Sequence, residues 1–251
     1  MSIVELVRSC VIPCHKPAIY ISGGLDSSIV LHHVRELIDD DIYTYTARFG
    51  LDGDETRFAE MLAEHYGTKH KTVDIIDYIP RLPEILEGMS HPFFNVWFYL
   101  LGEQAVKDGR RTVYIGEGAD ERFGGYESKS YIDAWGDHLV YVMPVYYQIH
   151  KKLGIHLEAP FERLDWRECL KWYAPPTKAV LKEAYRDILP NFIIERRKTP
   201  PAYINYWQLW KLSICKYFPN YHPKSIYDVR ECLKYLATEA WLNANKKKFG
   251  F

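Results

Sequence analysis

The chain has 251 residues, with 32 Lys and Arg against 33 Asp and Glu, giving a formal net charge of −1. This balance offers no general attraction for a polyanion, so no nucleic-acid partner is expected. The 47% hydrophobic and 26% charged residues suit a globular protein with a full core, and no apolar run is long enough to predict a membrane partner.

Short apolar runs alternate with amphipathic segments through the first half of the chain. The pattern predicts strands at 17–22, 42–49, 69–73 and 112–115, and helices at 27–38, 54–66 and 93–108. Strands that alternate with helices favour a doubly wound parallel sheet, which places the fold in the α/β class.

Beyond about residue 125 the strand pattern fades into segments rich in Trp and Tyr. Helical spacing is clearest at 177–188 and 228–243. We therefore expect a single domain, 1–251, with a nucleotide-binding α/β part at about 15–130 and a mainly helical part at about 131–251.

The cysteines favour a reducing compartment. Their number is odd, at five, and the opening MSIVELVRSC lacks the long apolar stretch of a secretory signal. Cys10, Cys14 and His15 do not complete a tetrahedral metal site. These observations predict reduced thiols and a cytoplasmic location.

A Gly-rich loop follows the first predicted strand. It runs through Ser22, Gly23, Gly24, Leu25, Asp26, Ser27 and Ser28. The paired glycines allow an anion to approach the backbone, and the hydroxyls and a helix N-terminus converge on the same place. The spacing matches neither the Walker A loop nor the dinucleotide motif. The loop is therefore predicted to hold phosphates, the alternative being a Ser/Gly turn with a helix cap.

A second Gly-rich loop follows the fourth predicted strand, from Gly116 to Tyr126. It carries Glu117, Asp120 and Glu121, which would repel one another unless a metal or a cationic ligand lies among them. Parallel strands open their carboxyl ends at one edge, so both loops should line one crevice. Crowded carboxylates suit Mg²⁺, and an acidic surface turn is the alternative.

The two loops together resemble the signatures of the synthetase domain of asparagine synthetases, which β-lactam synthetases share. SGGLDSS and GEGADERFGGY carry the resemblance, which extends from about residue 17 to residue 126. It implies a Rossmann-like sheet of the PP-loop ATP pyrophosphatase type with a helical C-terminal half. It also implies ATP and Mg²⁺ as ligands.

The resemblance further implies a role for each matched residue. Glu117 is the candidate base, or else it only shapes its loop. Lys178 steadies the charge that develops during the reaction, or else it is an ordinary solvated helix lysine. Asp26 and Asp120 hold Mg²⁺. The residues matched to the nucleotide site are Ser22, Gly23, Gly24, Leu25, Asp26, Ser27, Ser28, Gly116, Arg196 and Lys198.

The implied reaction adenylylates a small-molecule carboxylate, releases pyrophosphate and transfers the acyl group to ammonia or an amine. Ser2 stands where these synthetases have the nucleophilic cysteine of a glutaminase domain, so that domain is expected to be absent. Nitrogen would then come from ammonia, from a separate glutaminase subunit or from an amine on the substrate. A homodimer is the other assembly considered.

Some positions depart from the family pattern. Glu158, Glu162 and Arg163 stand where the family has Arg, Leu and Asp near the substrate end of the crevice, and Arg48 replaces a small or apolar neighbour of adenine. Two alternatives to the asparagine synthetase-like reaction therefore stay open. One is a ligase or cyclase for a different, larger carboxylate, and the other is a non-catalytic nucleotide-binding module.

Overall fold

The computed structural model describes residues 1–49, 56–126, 130–174, 176–196 and 202–249. The strands are β1 Pro17–Tyr20, β2 Tyr43–Arg48, β3 Lys69–Asp74, β4 Thr112–Tyr114 and β5 His156–Glu158. The helices are α1 Ile3–Ser9, α2 Leu25–Leu37, α3 Thr56–His65, α4 Leu82–Leu86, α5 Phe98–Lys107, α6 Ala119–Phe123, α7 Tyr131–Asp137, α8 Met143–Lys152, α9 Trp166–Leu170, α10 Ala179–Ala184, α11 Asn191–Ile194, α12 Ala202–Leu212 and α13 Ile226–Phe249.

The five strands form one parallel sheet in the order β3-β2-β1-β4-β5. Ala18 at the centre lies between Tyr43 on one side and Val113 on the other. The chain builds outward from β1 to β3 and then returns to β4 on the opposite side. The strand order reverses between β1 and β4, which is where open α/β sheets bind ligands. The predicted doubly wound fold is confirmed.

Both faces of the sheet are covered, as a doubly wound fold requires. Successive strand residues point to opposite faces, so Ala18 and Tyr20 join one core cluster and Ile19 joins the other. The first cluster packs against α5, α8, α12 and α13. The second packs against α1, α2, α3 and α10. Because β1 is buried on both faces, its sequence is a continuous run of apolar residues.

The sequence patterns located the first four strands but missed several elements, among them β5 and α1. β5 has three residues, and its first residue, His156, is exposed. The strand is therefore too short to show an alternation of apolar and polar residues. Helix α1 was also missed, although Ser2 and Glu5 form a capping box. The Ser2 N–H donates to Glu5 over 2.7 Å, and the Glu5 N–H donates to Ser2 Oγ over 3.2 Å.

The helical second half packs directly against the α/β part. Helix α13 lies along α4, where Asn245 Nδ2 donates to the Leu86 carbonyl over 3.1 Å and Trp241 Nε1 donates to the Met89 carbonyl over 3.0 Å. Within the described residues, no helix combines the length and apolar character that crossing a membrane needs. The shared core supports our proposal of a single domain.

Replacing Leu233 on α13 with Ala tests that proposal. Leu233 is fully buried in the cluster that includes the sheet, so its removal should lower the free energy of unfolding by about 2–5 kcal/mol. Tyr235→Ala, at a position on the same helix that is 71% exposed, should have little effect. Urea denaturation followed by circular dichroism and by tryptophan fluorescence should shift as one transition. Two transitions, with only one shifted, would contradict a single domain.

Candidate functional site

The loop after β1 owes its shape to two glycines. Gly23 has a φ of +66°, and a methyl group there would lie 2.5 Å from the Phe58 Cβ on α3. Gly24 precedes α2, and its carbonyl accepts hydrogen bonds from Ser27 Oγ over 3.3 Å and Ser28 Oγ over 2.7 Å. The backbone is thus held in a tight turn that a side chain at residue 23 would prevent.

The loop after β4 touches the first loop. A methyl group at Gly116 would lie 2.7 Å from the Ser27 backbone nitrogen. Gly118 has a φ of +95°, and α6 begins directly after it. The expected meeting of the two loops at the carboxyl edge of β1 and β4 is therefore what the structure shows.

Lys178 lies between the acidic residues of the two loops. Its Nζ is 2.5 Å from both carboxylate oxygens of Asp26 and 2.5 Å from Oδ1 of Asp120. The residue is 4% exposed, and its backbone, with a φ of +52°, leads into α10. Burial lowers the pKa of Lys178, but the charges of Asp26 and Asp120 outweigh burial and the net pKa is raised.

This arrangement corrects one expectation from the sequence. The crowded acids of the second loop were expected to need a metal or a cationic ligand, whereas Lys178 supplies a cation from the protein itself, 2.5 Å from Asp120 Oδ1. Nor is Lys178 an ordinary solvated helix residue. The carboxylates of Asp26 and Asp120 remain partly accessible, with 26% and 22% of their side-chain surface exposed.

Glu117 is a half-buried residue of the second loop. Burial, with the charges of Glu121 and Asp120, raises its pKa to about 7. The Tyr146 hydroxyl on α8 donates to Glu117 Oε1 over 3.2 Å. Tyr146 stacks on Phe98, with ring centroids 3.9 Å apart. A carboxyl group with a pKa near 7 suits proton transfer at neutral pH.

A buried histidine connects the second loop to the segment after β5. His138 Nε2 lies 2.6 Å from Glu162 Oε1, and His138 Nδ1 lies 3.4 Å from Glu121 Oε1. The Tyr126 hydroxyl also donates to Glu121, over 2.5 Å. Burial lowers the pKa of His138, but the hydrogen bond to Glu162 and the charges of Glu121 and Glu162 outweigh burial and the net pKa is raised. His138 therefore tends to carry a charge between two carboxylates.

The positions that depart from the family pattern separate into two groups. Glu158 and Arg163 form an ion pair with each other, and Arg163 Nη1 donates to the Cys10 carbonyl over 3.2 Å. Their reversed charges thus neutralise one another. Glu162 instead contacts the second loop, since a methyl group at Gly118 would lie 2.5 Å from its Oε1. The altered charge at the crevice is therefore centred on Glu162.

Arg48 and Arg196 also have defined partners. Arg48 Nε and Nη2 lie 2.5 Å and 2.7 Å from the carboxylate oxygens of Asp74 on β3. Arg196 Nη1 donates to the Gly23 carbonyl over 2.6 Å, and its guanidinium stacks on Phe58, 4.4 Å from the ring centroid. Arg196 thus reaches the first loop, whereas Lys198 lies outside the described residues, and the roles of both stay predictions.

The sequence reasoning did not select Tyr146, His138 or Glu162 as site residues. Tyr146 and His138 lie on a helical stretch whose apolar spacing indicates only core packing, and His138 meets Glu162 across 24 residues. Glu162 was noticed through its departure from the family pattern. That departure was the only available signal, because such pairings appear only in three dimensions.

The fold and the two contacting loops define a PP-loop type of nucleotide-binding domain. The chain belongs to the asparagine synthase family, whose profile matches residues 3–166. The family resemblance inferred from the two motifs is thereby confirmed.

Two curated relatives and one solved structure illustrate the similarity. The chain is 26% identical over 208 residues to a putative asparagine synthetase [glutamine-hydrolyzing] 2 of Methanocaldococcus jannaschii, covering 78% of this chain and 38% of the relative. It is 26% identical over 242 residues to asparagine synthetase [glutamine-hydrolyzing] 1 of Bacillus subtilis, covering 92% and 33%. An NH3-dependent NAD synthetase from Campylobacter jejuni aligns at 10% identity and a TM-score of 0.43, covering 93% and 91%. The chain spans about a third of the length of these curated relatives, 38% of one and 33% of the other.

Replacing Glu117 with Gln tests the environment of this carboxyl group. The folded pKa of about 7 exceeds the ordinary value of 4.5, so the wild type loses stability as the pH rises from about 4.5 to 7, because the unfolded state deprotonates first. The variant lacks this loss. Its free energy of unfolding should match that of the wild type near pH 4 and exceed it by on the order of 2 kcal/mol near pH 8.

Urea denaturation at both pH values measures the difference. Glu64→Gln, at an exposed position on α3, is the matched control and should show no comparable gain. If the variant and the wild type differed in free energy of unfolding by the same amount at both pH values, the raised pKa of Glu117 would be contradicted.

Proposed function

We propose that this chain is an ATP-dependent amide-forming ligase that adenylylates a carboxylate. The observation that carries the proposal is the position of Lys178, buried between Asp26 and Asp120 at the strand-order reversal. A buried cation held by both nucleotide loops is placed to meet the charge that develops when a phosphate bond breaks.

The first loop is proposed to bind the phosphates of ATP. The residues are Ser22, Gly23, Gly24, Leu25, Asp26, Ser27 and Ser28, with Gly116 from the second loop and Arg196 and Lys198 from the chain after α11. The tight turn at Gly23 supports this role, because it leads directly into the N-terminus of α2, and helix N-termini favour anions. Arg196, which already reaches the Gly23 carbonyl, would meet the leaving pyrophosphate.

Asp26 and Asp120 are the proposed Mg²⁺ ligands. Their oxygens come from opposite loops, lie around one point and stay partly accessible, which fits the carboxylate and phosphate ligands that Mg²⁺ prefers. Mg²⁺, when bound, would neutralise phosphate charge. Lys178 would then shift part of its contact from the carboxylates to the substrate.

Two bond exchanges make up the proposed reaction. A substrate carboxylate oxygen attacks the α-phosphorus of ATP, the bond to the bridging oxygen breaks, and pyrophosphate leaves. An amine nitrogen then attacks the activated carbonyl and AMP leaves. Glu117 would accept the proton that the nitrogen loses, for which its raised pKa is suited.

The substrates proposed are a small-molecule carboxylate and ammonia or an amine, with a separate glutaminase subunit as one nitrogen source. A homodimer is a further proposed assembly. The five cysteines are free thiols, which supports a reducing compartment, and we propose the cytoplasm.

A second candidate is a ligase or cyclase for a different, larger carboxylate. It is favoured by Glu162, which replaces the apolar residue of the family pattern and contacts the Gly118 turn and His138. A non-catalytic nucleotide-binding module is less favoured, because it would not need Lys178 buried between two aspartates or Glu117 hydrogen-bonded to Tyr146.

Incubation with Mg²⁺ and ATP labelled at the α-phosphate tests the proposed function. With ammonium and a panel of acids that includes aspartate, labelled AMP should form and depend on one acid. Asp120→Ala and Lys178→Met should each slow AMP formation about 100-fold or more. Lys182→Met, one helical turn further on α10, is the matched control and should remain active. Labelled ADP, or AMP formation unaffected by Lys178→Met, would contradict the mechanism.

Replacing Glu162 with Leu tests which substrate the site selects. Removing the carboxylate beside the second loop should change kcat/KM for the acid about tenfold or more while KM for ATP stays within about twofold. Glu168→Leu, at a position on α9 whose side chain is 44% exposed, is the control. Steady-state kinetics over the acid panel measures both constants. Equal changes in the kinetic constants for the acid and for ATP would contradict a role of Glu162 in substrate selection.

A further inference from the structure

Three potential metal ligands converge on one side of α2, in the C-terminal half of the helix. His33 Nδ1 lies 2.8 Å from Glu36 Oε2, and His32 Nε2 lies 3.6 Å from the same oxygen. The three ligand atoms all lie within 4.8 Å of one another. Two imidazoles thus direct one nitrogen each toward a single carboxylate.

The other nitrogen of each histidine has a hydroxyl partner. His32 Nδ1 lies 3.2 Å from the Tyr66 hydroxyl, and His33 Nε2 lies 2.7 Å from the Tyr185 hydroxyl. Histidines that bind metals usually hydrogen-bond through the nitrogen that faces away from the metal, which fixes the ring and its tautomer. Both rings are held in this way.

Hydrogen bonding alone accounts for only part of the arrangement. It explains the contact of His33 with Glu36, but the 3.6 Å separation from His32 Nε2 to Glu36 is longer than a hydrogen bond. A cation placed among the three atoms would be bound by all of them. Glu36, 42% exposed at its side chain, provides an entry from solvent to the buried ring of His33.

We propose that His32, His33 and Glu36 form a site for a divalent transition-metal ion of the Zn²⁺ type. Two nitrogens and one carboxylate oxygen suit Zn²⁺, with water completing a tetrahedron. The nitrogen ligands distinguish the site from the oxygen ligands, Asp26 and Asp120, proposed for Mg²⁺. The site would connect α2 to Tyr66 after α3 and to Tyr185 after α10.

Arg8 is the one charged group of α1 that competes for this carboxylate. Its Nε lies 3.7 Å from Glu36 Oε2, and 51% of its side chain is exposed. An exposed ion pair of this kind contributes little, so Arg8 can turn toward solvent when a cation binds. Removing it should therefore strengthen metal binding.

Titration of the full chain with Co²⁺ after EDTA treatment and dialysis, without nucleotide, tests the proposal. One equivalent should produce visible absorption bands of tetrahedral Co²⁺, and Zn²⁺ should displace it. His32→Ala and Glu36→Gln should abolish the bands, and Tyr185→Phe should weaken binding about tenfold. His15→Ala, at an exposed histidine near Asp40, is the matched control and should bind like the wild type.

Circular dichroism of each variant in EDTA establishes that it is folded, and Glu36→Gln, at a partly exposed position, is the least disruptive. Absence of stoichiometric binding by the folded wild type would overturn the proposal. Unchanged binding by folded His32→Ala and Glu36→Gln would overturn it as well. Neither result bears on the ligase reaction, because the titration contains no nucleotide.

Discussion

The ion cluster of Lys178, Asp26 and Asp120 connects three distant parts of the chain. Burying an ammonium group costs far more than a surface charge does, and only close opposite charges offset that cost. Lys178 therefore requires the loop after β1 and the loop after β4 to carry their carboxylates to one point. The strand order makes this possible, because β1 and β4 are neighbours although 91 residues separate Tyr20 and Thr112 by number. The turn at Gly23, which we propose binds phosphate, and the start of α10 depend on the same arrangement.

The titratable groups in and around this cluster differ in their pKa values. Glu117 is held by burial and neighbouring charges at a pKa of about 7, whereas the pKa of Lys178 is raised well above the neutral range. Groups whose environments separate their pKa values can take different roles in proton and charge transfer. His138 lies between Glu121 and Glu162, and its protonated form places a positive charge that lowers the pKa of Glu117. The site therefore combines a permanent cation with a carboxyl group that can exchange a proton near neutral pH.

The sequence predicted the sheet better than the site. Apolar runs predict the first four strands, and turn residues predict the two Gly-rich loops. Both signals lie within short stretches of the sequence. The three-residue β5 carries no such local signal. The family resemblance indicated Lys178 as a charge-stabilising residue, but its position between two aspartates depends on the packing of α10 against the sheet. Tyr146 contacts Glu117 although the two residues are 29 positions apart in the chain. No sequence pattern predicts such a contact.

The exchange of labelled pyrophosphate into ATP tests most directly whether the Lys178 cluster promotes adenylylation. Exchange runs the first step in reverse, so it needs the carboxylate but no amine. We predict that label enters ATP when the correct acid is present, that Lys178→Met abolishes the exchange, and that Lys182→Met does not. Exchange that persists in the folded Lys178→Met variant, or that proceeds without any acid, would contradict this account.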